Sequence, residues 1–178
     1  MTQTRSESRT KSSRKIEKPS AGAGPSAIDT KALSIFVGEW RTEGEQLAGP
    51  VGEPAKVTAT QRYEWLQGES FLIHRFDGHV GTSAASCIEI IGCDRETGNC
   101  RAHTFYNNGL VNVWDVELHD GQWLLAGDWN MGGKSMKVRC TISFADAAST
   151  MHSRWEHSTD GARWQAFWNL TARKLVQH

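Results

Sequence analysis

From residue 38 onward, apolar and polar side chains alternate in short runs. Leu110, Asn112, Trp114, Val116 and Leu118 alternate with Val111, Val113, Asp115 and Glu117, and Val138, Cys140, Ile142 and Phe144 alternate with Lys137, Arg139, Thr141 and Ser143. A period of two is that of a strand buried on one face. Ten such strands are predicted, near 38–46, 56–66, 70–78, 85–93, 100–106, 110–118, 122–129, 136–144, 149–157 and 163–175. Between them lie Gln67-Gly68, Asp77-Gly78, Asp94 to Gly98, Asn107-Asn108-Gly109, Asp120-Gly121 and Asp160-Gly161. Asn-Gly and Asp-Gly tolerate the positive φ of tight hairpin turns, so each reads as a hairpin signal.

Helical spacing occurs once, from Ala27 to Val37, where Ile28, Leu33, Ile35 and Phe36 follow Asp29 or Thr30 as N-cap. One short helix near 28–37 leading into ten hairpin-linked strands predicts an all-β, roughly ten-stranded antiparallel up-and-down barrel over residues 32–176. An open ten-stranded sheet would leave two long edges exposed to aggregation, and closure removes them.

Charge changes the picture at the N-terminus only. The 178 residues carry 20 Lys+Arg against 20 Asp+Glu, which disfavours a nucleic-acid binder. Residues 1–31 hold seven basic and three acidic residues, a surplus of +4, and the remainder balances it at −4. That segment has almost nothing apolar to bury, so it reads as a disordered, solvated basic tail. It has no apolar stretch of the kind a secretory signal needs, and no run in the chain is long enough for a membrane span. Four cysteines lack the paired spacing of a zinc site. Cys87 and Cys140 sit in apolar runs, and Cys93 and Cys100 flank a turn across which they can approach. All four are taken as free thiols in a reducing cytoplasm, and the protein is placed there.

Eight tryptophans supply the candidate chemistry. Trp65, Trp114, Trp129 and Trp155, with Trp168, are expected to line a lumen suited to a planar or extended apolar molecule. His74, Glu89, His103 and Glu156 are the acid–base candidates by strand position. An inward His74 or His103 within reach of a buried carboxylate favours catalysis, and an all-apolar lumen favours carriage. Neither His-x-His nor His-Glu-x-x-His occurs, so no metal site is expected. Gly132-Gly133-Lys134-Ser135 lacks the preceding glycine of a phosphate loop and reads as a hairpin loop at the barrel mouth.

Gly38-Glu39-Trp40, after a short helix, resembles the Gly-x-Trp signature of calycins. The resemblance implies that Trp40 closes one end of the barrel with an arginine from a late strand across it, and Arg173 is the matching residue. Tyr63 to Arg75, Glu89 to Gly98 and Trp155 to Trp164 resemble the bacterial DUF1579 family over residues 32–176, with Cys93 where that family commonly has tyrosine. The resemblance implies a calycin-like barrel and supplies no mechanism. Nitrobindin-like barrels bind haem through a histidine. The last strand has none at the matching place, and His152 and His157 on the preceding strand have opposite parity, so at most one points inward. The expectation is a lipocalin-like protein holding a small, mostly apolar or aromatic molecule without a cofactor. A cofactor-independent isomerase, cyclase or dehydratase and a haem-binding barrel are the alternatives. Specific nucleic-acid binding is not expected, and a homodimer is left open.

Overall fold

The structure is a computed structural model that describes residues 28–131 and 134–176. The segment before Ile28, expected to be a solvated tail, and the Gly132-Gly133 part of the expected mouth loop lie outside the described residues. Ten antiparallel strands follow a short 3-10 helix (Thr30–Phe36): β1 (Gly38–Gln46), β2 (Ala55–Trp65), β3 (Phe71–Val80), β4 (Ser83–Cys93), β5 (Cys100–Tyr106), β6 (Val111–His119), β7 (Gln122–Met131), β8 (Lys134–Ala145), β9 (Thr150–Ser158) and β10 (Gln165–Lys174). Each strand pairs with its neighbours in the chain, and β1 pairs with β10 to close the barrel.

Period-two patterning sorts the side chains. On β2, Val57, Ala59, Gln61 and Tyr63 are buried inside, and Lys56, Thr58, Thr60 and Arg62 are exposed outside. One irregularity interrupts this alternation: a bulge between Ala166 and Trp168 re-aims β10, so that Phe167 is buried completely.

The helix plugs one end. Asp29 is its N-cap, accepting from the Lys31 N–H, and Leu33 and Phe36 are buried. The Phe36 ring centroid lies 5.4 Å from Tyr63 and 5.2 Å from both Trp123 and Phe144. Trp40 is fully buried and its Nε1 donates to the Phe36 carbonyl at 2.8 Å, tying the first strand to the plug. The cation over Trp40 is Lys174, with Nζ 5.1 Å from the ring centroid, and not Arg173 as the calycin resemblance implied. Register explains the correction. Lys174 stands opposite Trp40 and shares its face, whereas Arg173 stands opposite Arg41 and points outward.

Asp120-Gly121 joins β6 to β7 with both residues at positive φ (50° and 78°), as a tight hairpin turn requires. Asp77-Gly78 is not a turn but lies within β3. A Cβ at Gly78 would collide with the Thr58 carbonyl and Ala59 of β2, so this glycine serves close strand passage. Cys93 and Cys100 face each other in register, 3.8 Å apart at Cα, and are disulfide-bonded, which corrects the expectation of four free thiols and removes the thiol argument for a reducing compartment.

Cys87 and Cys140 are free, and burial, with the Glu89 charge adding to it, raises both thiols; Cys87 is pushed up to about 12. A thiolate is the reactive form, so iodoacetamide at pH 8 is expected to leave both unlabelled in the folded protein. In denaturant, two thiols are expected to titrate before reduction and four after. Four before reduction would disprove the Cys93–Cys100 bond.

Candidate functional site

The inner faces of β2 to β6 carry a transverse polar row. Tyr63, His74, Glu89, Thr104 and Asn112 stand directly opposite one another from strand to strand, and all five are buried. His74 Nδ1 lies 3.3 Å from Glu89 Oε1, and its Nε2 lies 2.9 Å from Gln61 Oε1. The Gln61 amide also donates to Thr42 Oγ1 at 2.6 Å, which turns its oxygen toward the imidazole. His74 Nε2 thus faces the Gln61 oxygen, and its Nδ1 faces the Glu89 carboxyl. On the other side Trp114 Nε1 donates to Thr104 Oγ1 at 2.9 Å, and Thr104 donates to Glu89 Oε2 at 2.5 Å. The bonds from Trp114 through Thr104 thus run toward Glu89, and His74 flanks it from the other side. Tyr63 donates to Gln61 Oε1 at 3.1 Å and stacks flat on His74, 4.0 Å between centroids. Burial, then the nearby Glu89 charge, holds the Tyr63 phenol well above its ordinary range, so it serves as a donor.

Above this row, away from the plug, the lumen is aromatic. Trp114 and Trp155 meet edge to face at 5.6 Å, Trp155 contacts Trp168 at 6.2 Å, and Trp129 lies between Tyr106 (6.5 Å) and Phe167 (6.0 Å). Trp168 Nε1 donates to Gln46 Oε1. Among the described residues, Trp129 Nε1 and His157 Nδ1 are buried here without a partner, while the Asn112 side chain reaches the Tyr106 phenol. Phe167 links the two, packing on Trp129 and on His157 at 6.0 Å each.

Of the residues expected to line the lumen, Trp114, Trp129 and Trp155 converge. Trp65, also packed on the core, lies two residues past Tyr63 at the plugged end and does not join them. Among the acid–base candidates His74 and Glu89 meet. His103 does not, because it points outward between Ile90 and Val113 on an exposed apolar face that includes Ile88 and Phe105. Glu156 also faces outward; Arg139 (2.8 Å) and Arg154 (3.2 Å) hold it there. Burial pushes its carboxyl up, but those hydrogen bonds and charges outweigh burial and leave it below its usual range. Gln61, Thr104 and Asn112 are site residues that the sequence reasoning misses. Their signal is a polar residue at an inward position, as with Gln61 in the row Val57, Ala59, Gln61, Tyr63.

His157 is the inward member of the pair considered for haem; His152 is exposed and lies 3.2 Å from Thr171. The faces of His157 are taken up by protein: Phe167 packs against its ring, and a Cβ at Gly49 would stand 3.9 Å from its Nε2, which does not suit a haem plate.

Removing one member of the His74–Glu89 pair strands the other in the core. Single His74→Leu and Glu89→Leu substitutions are each expected to cost about 3 kcal/mol, and the double variant markedly less than their sum. Urea denaturation checks this; strict additivity would show the two side chains to be uncoupled.

Solved structures with a similar fold exist. The structure of Rv2717c from M. tuberculosis superposes with a TM-score of 0.58 at 12% identity, covering 82% of this chain and 96% of that one. The S-type phycobiliprotein lyase CPES from Guillardia theta superposes with a TM-score of 0.55 at 11% identity, covering 83% and 92%. No curated protein sequence matches. These likenesses carry the barrel fold. The family model described as "Protein of unknown function (DUF1579)" matches residues 28–173, spanning the plug and all ten strands, and the chain belongs to that family.

Proposed function

We propose that the barrel binds one small, mostly apolar, aromatic molecule in the half of the lumen away from the helix. One observation carries this reading: Trp129 Nε1 and His157 Nδ1 are buried among aromatic rings with no hydrogen-bond partner among the described residues. A buried donor without an acceptor costs about 1–3 kcal/mol, so such groups persist where another molecule supplies the acceptor. The surrounding rings offer flat apolar area, and the Trp129 indole N–H fixes an oxygen at its edge.

A second reading, a cofactor-independent acid–base enzyme, has one observation in its favour, the inward His74 beside Glu89. Both imidazole nitrogens and both carboxylate oxygens already have protein partners within the wall. Binding is therefore the better supported function, and the polar row supports the wall.

Intrinsic tryptophan fluorescence tests the reading against a panel of fatty acids, flavonoids, haem and hydrophobic dyes. Flavonoids and aromatic dyes are expected to quench or shift the emission. Trp129→Phe keeps a ring but loses the N–H, and a lost hydrogen bond of about 1.4 kcal/mol should weaken binding about tenfold. His74→Gln is expected to leave affinity within about twofold. A panel with no response would refute the binding function.

A further inference from the structure

The outer surface of the barrel differs from one side to the other. On β9, β10 and β1 its outward positions carry His152, Arg154, Thr171, Arg173, Arg41 and Glu43, the polar set expected of a strand face in water. On β3 to β6 the outward positions are apolar. Phe71, Ile88, Ile90, Phe105, Val111 and Val113 are each between 39% and 56% exposed. Nine large apolar side chains are exposed among the described residues, and these are six of them, so the exposure is concentrated here.

Register makes them one surface. Ile88, Phe105 and Val111 stand side by side on β4, β5 and β6, and Ile90, His103 and Val113 form the next row. Phe71 extends the face across Gly92, where a Cβ would come 2.4 Å from its ring. Because the barrel is closed, these strands have no free edge, and whatever docks here does so on side chains.

Area and charge identify what covers the face. Its side chains leave on the order of 500 Å² of apolar area in water, toward the upper end for a monomer. A stable interface takes about 800 Å² from each partner, about 60% of it apolar, which is a matching area. The rim carries both signs, already paired within the chain: Arg62 and Arg75 on Glu64 at 2.9 and 3.8 Å, and Arg101 on Asp115 at 3.2 Å. Such a rim selects neither a polyanion nor a polycation, and a formal net charge of zero sets up no net repulsion between two copies. Residues 1–27 are a poor occupant, since their only large apolar side chains are Met1 and Ile16.

We propose that the outer face of β3 to β6 is a homodimer interface, the face of one copy packing on the same face of a second. A twofold axis running between β4 and β5 lays the patch on its own image, as an isologous contact requires. The small-molecule reading neither needs nor implies this contact.

Sedimentation velocity on the full chain, from about 1 to about 100 µM, tests it. The expected species is a dimer of twice the 19.8 kDa chain mass. Apolar area drives it, so its affinity should stay within about twofold between low and high salt. Phe105→Asp and Val113→Asp each put a charge into the face from positions already exposed in the single chain. Both are expected to weaken the dimer about a hundredfold with unchanged circular dichroism. His152→Asp, on the opposite wall, is expected to remain dimeric. A monomer at the highest concentration overturns the proposal, and so does a dimer that both face variants retain or that high salt dissolves. A monomer that floats with phosphatidylcholine vesicles, and loses them in Phe105→Asp, overturns it in favour of a lipid contact.

Discussion

A carboxylate inside a barrel of aromatic rings is the constraint around which the inner wall is organised. Glu89 is 7% exposed, and a charge so placed is expensive unless it is paired and hydrogen-bonded. Its partners come from both neighbouring strands, His74 from β3 and Thr104 from β5. Those partners have unsatisfied groups of their own, which recruit Gln61 and Thr42 on one side and Trp114 on the other. The result crosses β1 to β6 as a chain of directed bonds. Because a slip of one residue in any strand would move its member to the outside, the row also specifies register, which alternation alone leaves loose within apolar runs.

Closure and the plug solve the other half of the problem. Pairing β1 with β10 removes both edges, and the hydrogen bond from Trp40 to the Phe36 carbonyl fastens the helix over the end where Tyr63, Trp123 and Phe144 would otherwise meet water. Glycine allows close passage at chosen places. At Gly78 it lets β2 and β3 pass tightly within a complete ladder, whereas at Gly127 it lies where the β6–β7 ladder ends.

The fold is legible in the sequence because alternation and turn chemistry are local. Asp120-Gly121 announces its hairpin, and Asp29 its cap. Asp77-Gly78 misleads because the same dipeptide serves a turn and a close strand contact, and only the position of β2 distinguishes them. The site is legible in part. His74 and Glu89 can be picked out as titratable groups on strands, but parity near a strand's middle depends on where the strand begins, and His103 and Glu156 fall on the outer face. Arg173 fails for the same reason, by one residue. Gln61 and Asn112 occupy positions whose neighbours two residues away are apolar. Such positions mark an inward polar group in the bare amino-acid pattern, provided the expectation that polar means outside is set aside. The disulfide could not be decided from spacing, because a seven-residue separation across a hairpin allows contact without requiring oxidation.

The two halves of the lumen differ in one physical respect, and that difference separates support from function. In the row from Thr42 to Trp114, Gln61, Thr104 and Trp114 each donate to a protein acceptor. In the aromatic half the rings touch, but among the described residues Trp129 Nε1 and His157 Nδ1 are left open. Trp129 is seated between Tyr106 and Phe167, and His157 packs on Phe167, so both are held at fixed places before any ligand arrives. Ordering them then adds little to the cost of binding.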